Sequence, residues 1–145
     1  MWIDRLTASR TLEAASLTAQ FAEKRQRMLA ENLANIDTPD YHSQRLDPGV
    51  FQASLRGALE RARETRSSEL ELRGSAQVKT DAAGQLQVEP VREPAANILF
   101  HDGTNVRMES LMSEVASNAL TYDMAMNLLR SRLDGLLRAI RGRST

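Results

Sequence analysis

The chain has 145 residues, room for one domain or for one extended element with a small module, and its 19 basic and 19 acidic residues balance to zero formal charge. No global field therefore recommends nucleic acid or an acidic substrate as a partner. Without cysteine there is no disulfide framework and no thiolate for zinc, redox or nucleophilic chemistry. Aromatic residues make up only 4% of the chain, too few to anchor a large compact core, so a helical, elongated protein is favoured over a globular one.

The opening run Met1-Trp2-Ile3-Asp4-Arg5-Leu6-Thr7 lacks the continuous apolar stretch of a secretory signal peptide. No later stretch reaches the roughly 20 apolar residues of a membrane span. A soluble, cytoplasmic chain is expected on these grounds, unless it leaves by a route that retains its N-terminus. From about Ser9 to Ile36 there is no Gly and no Pro, and good helix formers dominate, which predicts one long helix. Its period places Leu6, Leu17, Phe21, Ala22, Met28, Leu29, Leu33 and Ile36 on one broad face, wide enough for more than one neighbour. Arg25, Asn32 and Asn35 fall inside or at the edge of that face, where polar groups need hydrogen bonds. For the two asparagines two readings stand: they set register in a helix assembly, or they are solvated near a fraying helix end.

The helix must stop near Asp37-Thr38-Pro39, because proline drives Thr38 toward extended geometry and has no N–H to donate. Residues 1–39 thus form a first segment, 40–104 a middle one and 105–145 a third. In the middle, Asp47-Pro48 has the form of an N-cap followed by proline at the first helical position. Phe51, Leu55, Ala58, Leu59 and Ala62 mark one face of the short helix that follows, with Arg56, Glu60, Arg61, Arg63 and Glu64 on a solvated one. Residues 76–80 and 85–91 alternate weakly around Asp81-Ala82-Ala83-Gly84, the pattern of a β-hairpin. The stretch around Pro90, Pro94 and Ala95-Ala96-Asn97 reads as an irregular linker that orders only against neighbours.

Beyond Asn105, a candidate N-cap, apolar residues recur at alternate spacings of three and four: Met108, Met112, Val115, Ala119, Tyr122, Met126, Leu129, Leu133, Leu136 and Ile140. A narrow stripe with a 3.5-residue repeat is coiled-coil geometry and demands a partner helix. Asn118 in this helix joins Asn32 and Asn35 as a candidate for register-setting or inter-subunit hydrogen bonding. Arg130, Arg132, Arg138, Arg141 and Arg143 near its end suit the helix dipole; an anionic partner is the alternative, and nucleic acid binding through this arginine tail, a third reading that predicts steep salt dependence, is not the expected one. No catalytic constellation emerges. His42 and His101 stand alone in the irregular middle, without metal-ligand spacing, and no phosphate-binding or nucleophile motif is present, so neither an enzyme, nor a cofactor, nor a small-molecule substrate is expected.

The run Asn32-Leu33-Ala34-Asn35-Ile36-Asp37-Thr38-Pro39-Asp40-Tyr41 resembles the N-L-A-N-x-x-T-P-G-Y signature that ends the N-terminal helix of bacterial flagellar axial proteins, with Thr38, Pro39 and Tyr41 as the helix-terminating part. Asp40 stands where the family has glycine; if that position needs positive φ, Asp is tolerated but less comfortable. The run from Gly103-Thr104-Asn105-Val106 through Leu128-Leu129-Arg130-Ser131-Arg132-Leu133 to Leu136-Leu137-Arg138-Ala139-Ile140 resembles a short proximal-rod member of that family more than its paralogue FlgC. The resemblance covers roughly residues 10–50 and 97–142.

It implies a mainly α fold with long N- and C-terminal helices paired as an antiparallel coiled coil, to which the residue pattern adds an irregular middle containing a short helix and a possible β-hairpin. It implies too that copies stack into a hollow periplasmic rod in the flagellar basal body, joining the motor base to the distal rod and transmitting torque by helix packing. Implied partners are copies of itself, rod proteins of the FlgC, FlgF or FlgG type, the adaptor FliE and the motor base ring. The flagellar type III export apparatus is a further one, exporting the chain without a cleaved signal peptide. On this reading the seam serves the intramolecular pair and the broad face of the first helix serves neighbouring subunits, so the isolated chain is expected to be partly disordered. Leu17, Phe21, Met28, Leu29, Leu33 and Ile36 would then pack beside the seam residues, within and between subunits. A dimeric helical adaptor that binds a partner through the C-terminal seam is the alternative from another class.

Overall fold

A computed structural model describes residues 2–73, 75–93 and 103–142, and their side chains except at 2–9, 103–106 and 140. The elements run α1 (Trp2–Ala34), β1 (Gln44–Arg45), α2 (Pro48–Glu64), β2 (Val78–Thr80), β3 (Leu86–Val88), β4 (Val91–Arg92) and α3 (Gly103–Arg141). At 1.5 Å per residue the two long helices reach about 50 and about 58 Å. They lie antiparallel: Arg107, early in α3, bonds Ser43 just beyond the end of α1, while Asn118, a third of the way along, reaches Ala22 and Gln26. The mainly helical pairing expected from the sequence is what the chain adopts. The helix start is not where Asn105 placed it. α3 begins at Gly103, so Asn105 lies inside the first turn.

The broad face of α1 is covered by its own chain. Leu17, Phe21, Met28 and Leu29 join Leu46, Phe51, Leu70, Leu72, Val78 and Leu86 in one core, and the rings of Phe21 and Phe51 stack with centroids 4.3 Å apart. The middle segment supplies most of the large side chains that α1 buries; of the stretch expected to be an irregular linker, Val91 and Arg92 pair as β4 and residues 94–97 lie outside the described residues. The burial of α1 corrects the assignment of the broad face to neighbouring subunits, and with it the premise that α1 lacks a partner in the isolated chain. Burial of this kind contributes about 1.5–3 kcal/mol per large apolar side chain, far more than helix propensity offers.

Local chemistry sets the middle. Asp47 caps α2, its carboxylate accepting from the Gly49 N–H at 2.7 Å, and Pro48 occupies the first helical position where no N–H is needed. Phe51, Ala58 and Ala62 turn inward from α2, with Leu55 and Leu59 at the core's edge. The hairpin is there with shorter strands than the alternation suggested, pairing Val78 with Val88, Lys79 with Gln87 and Thr80 with Leu86. Asp81 organises its turn, one carboxylate oxygen accepting from both Ala83 and Gln85 N–H at 2.9 Å, and Gly84 takes a φ of 74°, where a side chain would be strained. A second two-stranded sheet, β1 against β4, pairs Gln44 with Arg92 and Arg45 with Val91.

Candidate assembly interface

The signature after α1 is a clamp. Asn32 is buried, and its amide pairs with both backbone groups of Gln44, donating to the carbonyl at 2.7 Å and accepting from the N–H at 2.9 Å; Tyr41 donates its hydroxyl to the same oxygen at 3.0 Å. One side chain thus replaces a neighbouring strand along the inner edge of β1 and fixes where the chain leaves the helix. Asn35 does something different. Partly exposed, it donates to Glu31 O at 2.8 Å within the last turn and accepts weakly from the Thr38 hydroxyl at 3.3 Å. Neither of the two readings open for these residues describes Asn32, which is buried and bonded to the segment that follows α1 in its own chain; Asn35 sits partly exposed at the helix end. Successive bonds, Thr38 N–H to Asn35 O and Tyr41 N–H to Thr38 O, wind the chain through Pro39 to Asp40, which takes a φ of 59°. The left-handed geometry that suits the family's glycine is retained by an aspartate.

Two further polar groups pin α3 to this framework. Arg25, buried, donates to the Leu46 carbonyl at 3.1 Å and pairs with Glu114 of α3 at 2.5 Å, so a single guanidinium ties α1, the residue after β1 and α3 together. Asn118, also buried, donates to Ala22 O and Gln26 Oε1, both at 2.8 Å. Ala22, which receives it, follows Ala15 and Ala19 at helical spacing, and all three are buried. A cleft of about 430 Å³ lies where the end of α1, β1 and the start of α3 meet, with Arg25, Asn32, Ser43, Arg107 and Glu114 among its walls.

The α3 seam runs along a different line from the one its hydrophobicity suggested. The residues turned toward α1 are Met108, Leu111, Val115, Asn118, Ala125 and Leu129, with Met126 beside them. Met108, Val115 and Leu129 of the expected set stand on this line, with Met126 beside it. Met112 and Ala119 do not: Met112 is 53% exposed and its place is taken by Leu111, while Asn118 takes that of Ala119. Tyr122, Leu133 and Leu136 are exposed as well, and Ile140 lies outside the described side chains. On α1, Leu17, Phe21, Met28 and Leu29 are buried, whereas Leu33 and Ile36 are half-buried. Two heptad assignments were available, and the one richer in methionine lost to the one whose asparagine finds its acceptors on α1.

What this leaves on the surface is concentrated. Of the nine exposed large apolar residues among those described, all but Val91 are on α3. Leu120, Met124 and Leu128 follow one another at intervals of four on the side away from α1, with Leu120 65% and Met124 73% exposed. The sequence reading missed this second stripe because it followed the 3.5-residue repeat; the i, i+4, i+8 run was there to be counted. Charged neighbours in the middle segment are ordinary surface pairs. Arg73 beside Glu71, and Lys79 beside Glu89, hold those carboxyls below their usual values through hydrogen bonds at the surface. Among the described residues no cluster of His, Asp and Glu could hold a metal ion, and no helix is long and apolar enough to cross a membrane. His42 is exposed near Glu93 O, and His101 lies outside the described residues.

Comparison with known proteins converges on one family. The flagellar basal body rod protein FlgB of Salmonella typhimurium is 30% identical over 149 residues, 97% of this chain and 98% of its own length. The chain belongs to the FlgB family. FlgB of Escherichia coli is 30% identical over 145 residues, 95% of this chain and 96% of its own. FlgB of Cereibacter sphaeroides is 34% identical over 122 residues, 83% of this chain and 85% of its own. The alignment therefore runs through the middle segment as well as the two helical ends. No family model and no solved structure matches.

Proposed function

We propose that this FlgB-family chain is a structural subunit of the flagellar basal-body rod, joining the motor base to the distal rod and transmitting torque through close helix packing. The observation that carries the reading is the uncovered apolar surface of α3 in a chain that matches rod proteins from end to end. A helix with two apolar stripes and one intramolecular partner has a second face to bury, and a rod made of like subunits supplies it. The work is mechanical and involves no reaction centre. Its partners would be copies of itself, rod proteins of the FlgC, FlgF or FlgG type, the adaptor FliE and the motor base ring, reached through the flagellar type III export apparatus without cleavage.

Deleting the gene from its host and purifying basal bodies tests this. Loss of the rod and of swimming, restored by the wild-type chain but not by one carrying Leu133→Asp and Leu136→Asp, is the expected result. Rods that assemble normally without the protein would exclude the role, and a stable soluble dimer absent from basal bodies would favour the adaptor alternative.

A further inference from the structure

We infer that the outer edge of residues 86–92 is blocked against strand addition, so that no extended segment of another molecule pairs its backbone with this chain there. Only Glu89 and Pro90 separate β3 from β4, and each strand bonds to its partner through odd-numbered residues. Gln85 O accepts from the Asp81 N–H at 3.0 Å, the Glu89 N–H donates to Gln77 O at 2.8 Å, and the Glu93 N–H donates to Ser43 O at 2.8 Å. The even-numbered residues therefore point their backbone groups away from the ladder. Two contacts agree with this. The Leu86 N–H donates outward to Gln20 Oε1 at 3.0 Å, and Gln44, which stands opposite Arg92, gives both its backbone groups to Asn32 and neither to β4.

A row of outward backbone groups is a template for any extended chain. Burial does not protect this one: residues 89–92 are exposed, and Val91, 51% exposed, is the single large apolar side chain on the surface outside α3 among the described residues. The protection is chemical. At the even positions, the Leu86 N–H is already taken by Gln20 of α1. Pro90 has no N–H, and its ring fills the place an incoming carbonyl would need. Pro94, the next even residue, has no N–H in any conformation. What is left is Val88 and Arg92, about 13 Å apart, whose N–H groups have no partner among the described residues. An added strand could bond at either of them but would meet no donor two residues away in either direction, so no continuous ladder forms. The numbering of the prolines carries the argument. Two of the chain's four stand here, four residues apart, and both fall on outward positions. A proline at 91 or 93 would instead cost a bond to β1, which the fold needs. The far side of β1 is filled by Asn32, so this small sheet offers a free run of donors on neither edge.

Purified full-length chain, free of other flagellar proteins, tests this independently of the rod assignment, because the readout is β-rich association and not rod assembly. Pro90→Val combined with Pro94→Val restores both outward N–H groups and leaves the bonds of Val91 and Glu93 to β1 in place. The double variant is expected to keep the wild-type helical circular dichroism when freshly purified, and then to form thioflavin-binding polymers at least about tenfold faster than wild type at equal concentration. Adding Arg92→Pro removes the donor between the two sites without touching the ladder, and should return the rate to that of wild type. Adding Arg92→Gln instead, which removes the charge and keeps the N–H, should not. A double variant that associates no faster than wild type overturns the inference. So does a rate that Arg92→Pro leaves unchanged, as it would be if the variant aggregated by unfolding, or one that Arg92→Gln suppresses equally.

Discussion

Asn32→Ala isolates the clamp at the end of α1. The substitution removes the bonds to Gln44 O at 2.7 Å, from Gln44 N–H at 2.9 Å and from the Tyr41 hydroxyl at 3.0 Å, and leaves both Gln44 backbone groups facing a site that only partly admits water. At about 1 kcal/mol net for each bond the loss is about 3 kcal/mol. Alanine's better helix propensity returns about 0.5 kcal/mol, so a destabilisation of about 2–3 kcal/mol is expected. For a chain of this size that lowers Tm by about 6–12 °C. Urea unfolding followed by circular dichroism measures it, with Tyr41→Phe as the second arm of a cycle. The two changes should be non-additive by about 1 kcal/mol, because they share one oxygen. Asn35→Ala, the same change three residues on at a partly exposed helix end, should cost less than about 0.5 kcal/mol. If Asn35→Ala proves as costly as Asn32→Ala, or if Asn32→Ala costs under about 0.5 kcal/mol, the clamp is not what the signature encodes.

Asp40→Gly should raise stability by about 0.5–1 kcal/mol in the same assay, since φ is 59° there and glycine adopts that geometry without a Cβ penalty. Asn118→Ala should lower it by about 1–2 kcal/mol, because the Ala22 carbonyl and Gln26 lose a buried donor; cysteines placed across the α1–α3 seam should then cross-link in more than one register. The Lys79–Glu89 pair depresses the Glu89 carboxyl below its ordinary 4.5. Its contribution is therefore present above that value and fades as the pH falls through the lower folded-state one. Glu89→Gln should shift stability slightly at pH 7 and not at all at pH 2, and 0.5 M salt should erase the difference, as for any exposed pair.

The elements of this fold were legible in the sequence where local chemistry suffices. An uninterrupted run of helix formers made α1, Asp47-Pro48 started α2, and Asp81 to Gly84 turned the hairpin; each outcome depends on residues close in the chain. The signature around Pro39 likewise pointed to the family before any contact was known. Strands as short as β1 and β4 carry no period of their own, and Gln44 becomes a strand residue only because Asn32 on one side and Arg92 on the other complete it.

Which apolar residues meet which was settled by tertiary packing alone. The period of α3 admitted two seams, and hydrophobicity preferred Met112 and Ala119; the folded chain instead buries the line that carries Leu111 and Asn118, where the Asn118 amide finds Ala22 O and Gln26. The broad face of α1 could equally have met another subunit, and it was the fold of residues 44–93 over Phe21 and Met28 that claimed it. A one-dimensional pattern records how much surface a helix must bury. The choice among candidate partners depends on shape and on where buried amides and guanidinium groups find acceptors, and both exist only once the chain has folded.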